Sequence, residues 1–308
     1  MPQPPTSAVG VPTPCSTSAA FAEESLAGTA PVAHLWVIVE RHGPFGADAL
    51  KHSGLPAEMR DALLSLKQAG VKVLLARPAG RHSASAVGTP FRVWCAHPST
   101  GRMVSTVFDR AGDLADLDGP TLAAGHLPAW PSAASPALFV CTNGRRDACC
   151  ARLGRRAIVG IIDPDLWECS HLGGHRFAAT GLLLPWGYVY GRLDAEQVAR
   201  ILHDARAGHI SLDGLRGRSS LSPDAQVADI AARVASRFRS PDDLAVVDES
   251  TTGPGLVEVT MAASDGTRLE VWVLTEDQPT ATPPSCGAEP EAHLRRRVVG
   301  AVREIARG

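Results

Sequence analysis

The chain has 308 residues, of which 44% are hydrophobic, and a formal net charge of −2. At roughly 150 residues per domain, this length predicts two compact units with substantial cores. The nearly balanced charge leaves no broad basic field for nucleic acid. Seven cysteines spread over a long chain do not form the disulfide framework of a secreted protein, so we expect a cytoplasmic protein.

Residues 1–30 are rich in Pro, Ser, Thr and Ala, without the basic and apolar segments of a targeting peptide. We interpret them as a flexible tail in which Cys15 is exposed and has no function. No run of about 18 apolar residues occurs in the sequence, which argues against a membrane span.

Residues 31–128 show strand and helix patterns in the order of a thioredoxin-like unit. Apolar runs predict two strands, a broken helix lies between them, and two further runs predict a hairpin. The predicted ranges are 34–40 for the first strand, 47–67 for the helix, 71–76 for the second strand, and 91–95 with 102–108 for the hairpin. We expect no metal site in this unit.

Residues 129–218 repeat this order and predict a second, similar unit. Its predicted elements are a strand at 137–141, a helix at 147–153, a strand at 157–162, a hairpin around Pro185-Trp186-Gly187, and a helix capped by Asp194.

Residues 219–308 differ from both units and predict an α+β extension. Helical spacing of apolar residues between 227 and 238 is followed by two strands that turn at Asp265-Gly266. We expect residues 294–305 to form a basic helix. The predicted fold class is α/β, with two thioredoxin-like units, each a mixed sheet flanked by helices, plus this α+β extension.

The most informative pattern is a C-x8-C pair followed by an H-x3-H pair, formed by Cys141, Cys150, His171 and His175. Two thiolates and two imidazoles can hold a [2Fe–2S] cluster in which histidines replace two cysteines on one iron. A single buried Cys or His is usually structural. The compact joint pattern nevertheless favours a metal site.

Local sequence predicts how the two thiols approach each other. Cys141 ends a buried strand, whereas Cys150 lies with Cys149 on a helix that Asp147 caps and Gly154 ends. Leu172-Gly173-Gly174 separates the two histidines, and two glycines disfavour a helix there. We therefore expect a loop that approaches the metal closely.

Two other kinds of site remain open. A Cys2His2 zinc site fits the H-x3-H half, although C-x8-C is wider than the usual two to four residues between finger cysteines. A glycoside hydrolase needs two carboxylates flanking a sugar, and no such pair stands out. The sequence also lacks C-x-x-C, G-x-G-x-x-G and the phosphate-loop motif.

Several segments together resemble the sucrase/ferredoxin-like family. They are SLAGTAPVAHLWVIVERHGPFGADAL, CTNGRRDACC, WECSHLGGHRFAATGLLLPWGYVYGRL and LRGRSS. The resemblance implies a thioredoxin-like ferredoxin unit with bis-histidinyl coordination, its cluster ligands falling on Cys141, Cys150, His171 and His175. It leaves Cys149 and Cys169 as non-ligands.

These ligands predict a one-electron carrier or a reductase component that serves redox partner proteins. Two imidazoles in place of two thiolates make the ligands of the cluster less negative. The reduction potential should therefore exceed that of all-cysteine ferredoxins. The imidazole N–H proton should be bound more tightly once the cluster is reduced, so that uptake of an electron is coupled to uptake of a proton. We also expect Arg145 and Arg146 beside the cluster loop, and Arg218 over the cluster.

Overall fold

The structure is a computed structural model that describes residues 13–80 and 90–305. Residues 1–12 of the predicted tail lie outside these ranges. Within them, no helix combines the length and apolarity needed to cross a bilayer.

The α-helices of the described residues are α1 Cys15–Phe21, α2 Ala49–His52, α3 Ala57–Gln68, α4 Gly119–Ala123, α5 Arg155–Ile158, α6 Ala195–Arg206 and α7 Pro223–Ala235.

Nine strands of the described chain form one mixed sheet, in the order β4-β3-β1-β2-β6-β5-β7-β8-β9. They are β1 Trp36–Glu40, β2 Lys72–Pro78, β3 Phe91–His97, β4 Arg102–Phe108, β5 Ala137–Cys141, β6 Leu166–Cys169, β7 Gly181–Leu184, β8 Tyr188–Tyr190 and β9 Leu215–Arg218.

The two halves of this sheet share one connectivity. In each half the first strand pairs in parallel with the second and antiparallel with the third, and the fourth pairs with the third. Antiparallel pairing of β2 with β6 joins the halves. The predicted α/β class with two similar units is confirmed, and both units belong to one curled sheet flanked by helices.

Alternate side chains of the central strands belong to two different hydrophobic cores. In β1, Trp36 and Ile38 face a core shared by both halves, whereas Val37 and Val39 face the helices of the first half. Successive side chains of a strand point to opposite faces, so a strand covered on both faces is apolar throughout. The shared core therefore lies inside the curl of the sheet.

The C-terminal extension is a separate antiparallel sheet covered by α7. Its strands are β10 Leu244–Gly253, β11 Leu256–Ala263, β12 Arg268–Pro279 and β13 His293–Ile305. The helix predicted for 294–305 is wrong, because this segment pairs with β12 along its length. Gly300 also disfavours a helix interior. The predicted hairpin at Asp265-Gly266 is confirmed.

Three local predictions in the rest of the chain are also wrong. Residues 157–162 are not a strand, because Ala157 and Ile158 end α5 and pack in the core while Ile162 is fully exposed. The helical segment continues through Gly154 instead of ending there. The predicted tail includes α1, and its Cys15 is fully buried.

A buried ion pair links the two halves where β2 meets β6. Arg77 donates to the Glu168 carboxylate from Nε at 3.1 Å and from Nη2 at 2.6 Å. Thr142 Oγ1 donates to the same oxygen at 2.7 Å. Both charged side chains are buried, so their mutual contact offsets the cost of removing them from water.

We expect Arg77→Met to lower the free energy of unfolding by about 3 kcal/mol, because the buried Glu168 carboxylate loses the positive charge and the two hydrogen bonds of the Arg77 guanidinium. Chemical denaturation followed by circular dichroism measures this loss. The double variant Arg77→Met/Glu168→Leu is the control and should lose less, since no buried charge remains. Equal losses in both would contradict the role assigned to the pair.

Candidate metal centre

Cys141 reaches the shared core because of its position at the end of β5. Ala137, Phe139 and Cys141 face this core, while Leu138 and Val140 pack toward α6 on the other face. The Cys141 amide donates to Thr180 O at 2.9 Å, which fixes the end of the strand. The thiol therefore emerges inside the protein, where Cys141 is fully buried.

A tight turn returns the chain so that Cys150 lies beside Cys141. Asp147 Oδ1 accepts a hydrogen bond from the Cys149 amide at 2.8 Å and so caps the helical segment, as predicted. Cys150 begins a π-helical turn, Cys150–Gly154. A Cβ at Gly154 would lie 2.1 Å from Cys141 O, so only glycine permits this close packing.

The H-x3-H segment forms the expected loop rather than a helix. Gly173 and Gly174 both have positive φ, +95° and +70°, and a short 3-10 turn, His175–Phe177, follows. The rings of His171 and His175 have centroids 5.0 Å apart. Both Nδ1 atoms are buried and have no hydrogen-bond partner among the described residues.

The structure places three of the predicted ligands within coordinating range of one another. One ligand atom each from Cys141, Cys150 and His171 all lie within 4.8 Å of each other. His175 lies outside this group, with its ring beside that of His171 and its Nε2 4.0 Å from Asp147 Oδ2. It adjoins the group and its side chain is 14% exposed, and His171 is also partly exposed, so the histidine side of the site is nearer to solvent than the two buried cysteines.

The electrostatics of the site suit a metal. The neighbouring Cys150 thiol holds the pKa of Cys141 well below its ordinary value, and His171 with the amides of Asn143 and Leu172 acts in the same direction. Burial lowers the pKa of His175, although Asp147 opposes this. A thiolate and a neutral imidazole are the forms that bind metals.

The arginine that adjoins the site is Arg216, not Arg218 as predicted. Arg216 is buried and donates from Nη1 to Gly173 O at 3.2 Å and from Nε to Thr29 Oγ1 at 3.0 Å. Burial lowers its pKa to about 9, against the attraction of Cys150. Arg218 instead donates to Trp186 O at 3.2 Å and Pro98 O at 2.6 Å.

Cys169 and Cys149 differ in their surroundings, although both are expected to be non-ligands. Cys169 lies opposite Cys141 in the β5–β6 register, and burial raises its pKa well above the ordinary value. Cys149 points away from Cys150 toward a second group formed with Cys15, Asp147 and Cys286. Hydrogen bonds from Cys15 and Ser16 lower the pKa of Cys149 to about 5.

Sequence reasoning missed this second group because its members are far apart in the chain. Cys149 is separated by 134 residues from Cys15 and by 137 from Cys286. Both partners lie in segments rich in Pro, Ser and Thr, which carry no local metal-binding spacing. The prediction that Cys15 is exposed is wrong. The only clue was that five of the seven cysteines had no assigned role.

Buried cysteines facing a histidine loop inside a curled α/β sheet form a candidate Cys/His metal site. The family described as sucrase/ferredoxin-like matches residues 26–217, more than half of the chain, and the protein belongs to this family. The matched region contains the four predicted ligands and Arg216 but neither Cys15 nor Cys286. Comparisons with curated proteins and with solved structures gave no match.

We expect Gly174→Ala to lose most of the bound metal, because its methyl group would lie 2.3 Å from Arg216 Nη2 and displace the loop or the guanidinium. Gly173→Ala is the matched control, since its φ is also positive but no atom lies within 4 Å of an added Cβ. Both variants carry a backbone cost of about 1–2 kcal/mol. Metal analysis per folded chain measures the difference, and equal metal contents would contradict this account.

Proposed function

We propose that the protein transfers single electrons through a [2Fe–2S] cluster held by Cys141, Cys150, His171 and His175. The observation that supports this most is the donor set itself, two buried thiols beside two imidazoles whose buried Nδ1 atoms have no hydrogen-bond partner among the described residues. Buried polar atoms normally have a hydrogen-bond partner or a metal. Membership of a family described as ferredoxin-like supports the same chemistry.

When bound, the cluster supplies one-electron redox chemistry. The chain's contribution is the charge around it. Two neutral imidazoles and the buried Arg216 make the surroundings less negative than four thiolates would, which favours the reduced state. We therefore expect a potential above that of all-cysteine ferredoxins.

The histidines also provide a place for a proton. With Nδ1 as the ligand atom, His175 holds its proton at Nε2, on the side of Asp147 Oδ2 at 4.0 Å. A carboxylate beside the outer nitrogen of a ligand histidine fixes the ring and strengthens its hold on the proton. Added electron density then raises the affinity for that proton, so electron and proton transfer are coupled.

Electrons would enter and leave at the histidine edge, because both cysteines are buried. A surface cavity of about 270 Å³ beside His175 is lined by residues that include Arg176, Arg216 and Pro284. A redox partner protein would approach the histidine rings at this opening. The setting we propose is reducing and cytoplasmic, where thiols remain available to bind metal.

Zinc bound by the same residues is the second candidate. Its support is that the ligand atoms of Cys141, Cys150 and His171 lie close enough together for one metal ion. Visible absorption with iron and acid-labile sulfide assays on anaerobically purified protein distinguishes the two. A colourless protein with zinc in this site would overturn the iron–sulfur proposal.

We expect Cys141→Ser and Cys150→Ser each to lose the cluster, because each removes one of the two thiolate ligands. Iron content and the visible spectrum measure the loss. Cys169→Ser is the matched control, since Cys169 is equally buried and lies directly opposite Cys141, yet is outside the ligand group. Full cluster loading in Cys150→Ser would show that Cys149, and not Cys150, is the ligand.

We expect the midpoint potential to fall by up to about 59 mV per pH unit where one proton accompanies one electron. His175→Cys and His171→Cys should each retain a [2Fe–2S] spectrum with a lower potential and a smaller slope. The reason is that thiolate adds a negative charge and has no N–H. Protein-film voltammetry across pH measures both quantities. Parental slopes in both variants would show that the histidines are not ligands.

A further inference from the structure

We propose that Cys15, Cys149, Cys286 and Asp147 form a second metal site, which binds Zn²⁺. These four side chains supply three sulfur atoms and one carboxylate oxygen, all within 4.8 Å of each other. Cys15 and Cys149 are fully buried, and Cys286 is partly buried. The group is distinct from the cluster ligands, although Cys149 and Cys150 are consecutive.

The separations between the sulfur atoms match a tetrahedral zinc site. Cys15 Sγ lies 3.7 Å from Cys149 Sγ and 3.6 Å from Cys286 Sγ, and Cys149 Sγ lies 3.2 Å from Cys286 Sγ. Zn–S bonds of about 2.3 Å at tetrahedral angles place sulfur atoms about 3.8 Å apart. Two of the three edges therefore have nearly the length that zinc requires.

Asp147 completes the set and is held in place by the same cysteines. Its Oδ2 lies 3.9 Å from Cys15 Sγ and accepts from the Cys286 amide at 2.9 Å, while Oδ1 accepts from the Cys149 amide at 2.8 Å. Ser16 Oγ donates to Cys149 Sγ at 3.1 Å, as groups around a metal ligand commonly do.

Zinc fits this site better than the other occupants of a thiol cluster. Three thiolates and one carboxylate close a tetrahedron without an open position, which is typical of structural zinc. A disulfide requires sulfur atoms about 2.05 Å apart and would use only two of the three thiols. The soft thiolate set also disfavours Mg²⁺ and Ca²⁺, which take oxygen ligands.

The site would fasten two distant segments onto the cluster unit. Cys15 belongs to α1, and Cys286 belongs to the connection between β12 and β13. Arg176, next to His175, makes ion pairs with Glu24 at 3.1 Å and Glu291 at 3.3 Å in the same two segments. Zinc would thus hold in place the parts of the chain that cover the histidine loop.

The test is metal analysis of the full-length protein, purified anaerobically without chelators. We expect about one zinc in addition to about two irons per chain, and zinc-edge X-ray absorption should show sulfur at about 2.3 Å. Cys286→Ala and Cys15→Ala should each lose the zinc and retain the iron and the visible spectrum. Cys95→Ala, a buried cysteine in the first half, is the control that should retain both metals.

Cys141→Ala separates this proposal from the cluster proposal, because it should lose iron and keep zinc. Cys286 lies in a partly exposed connection, so its variant should fold even if Cys15→Ala does not. Absence of zinc from the parent protein would overturn the proposal. So would zinc retained by both the Cys286 and Cys15 variants, or a Cys149–Cys286 disulfide found by mass spectrometry in the anaerobic protein.

Discussion

The contact between Gly154 and the carbonyl of Cys141 determines the geometry of the whole centre. A side chain at Gly154 would overlap this oxygen, with its Cβ only 2.1 Å away. Because glycine stands there, the helical segment packs directly on the end of β5 and Cys150 lies beside Cys141. The same turn directs Cys149 to the opposite side, toward Cys15 and Cys286. One close backbone contact therefore orients both groups of thiols.

Charge is the second constraint, because the centre lies in an apolar core. Buried thiolates are costly unless donors or positive groups compensate them. The amides of Asn143 and Leu172 face Cys141, and the buried Arg216 lies within electrostatic range of Cys150. Among the described residues, Arg216 makes no ion pair with a carboxylate, and its guanidinium is held by hydrogen bonds to Thr29 and Gly173 and by the Phe177 ring.

Local pattern predicted most of the large sheet, and three of the four expected ligands lie together in the structure. Continuous apolar runs identified β1 and β5, and the two glycines identified the histidine loop. Local sequence does not show which distant strands pair, so β13 was expected to be a helix.

The sequence also did not distinguish the roles of Arg216 and Arg218. Gly217, with φ of +144°, breaks the regular strand between them, and they contact different parts of the protein.

Asp147 connects the two proposed sites, since its carboxylate lies beside His175 and is bound by the amides of Cys149 and Cys286. A positive ion bound near this carboxylate weakens its hold on the His175 proton, because the two compete for the same negative charge. Occupancy of the second site would therefore alter the proton affinity of His175. If both proposed sites are occupied, the region outside the family match would act on the histidine loop chemically, through Cys286, as well as by covering it.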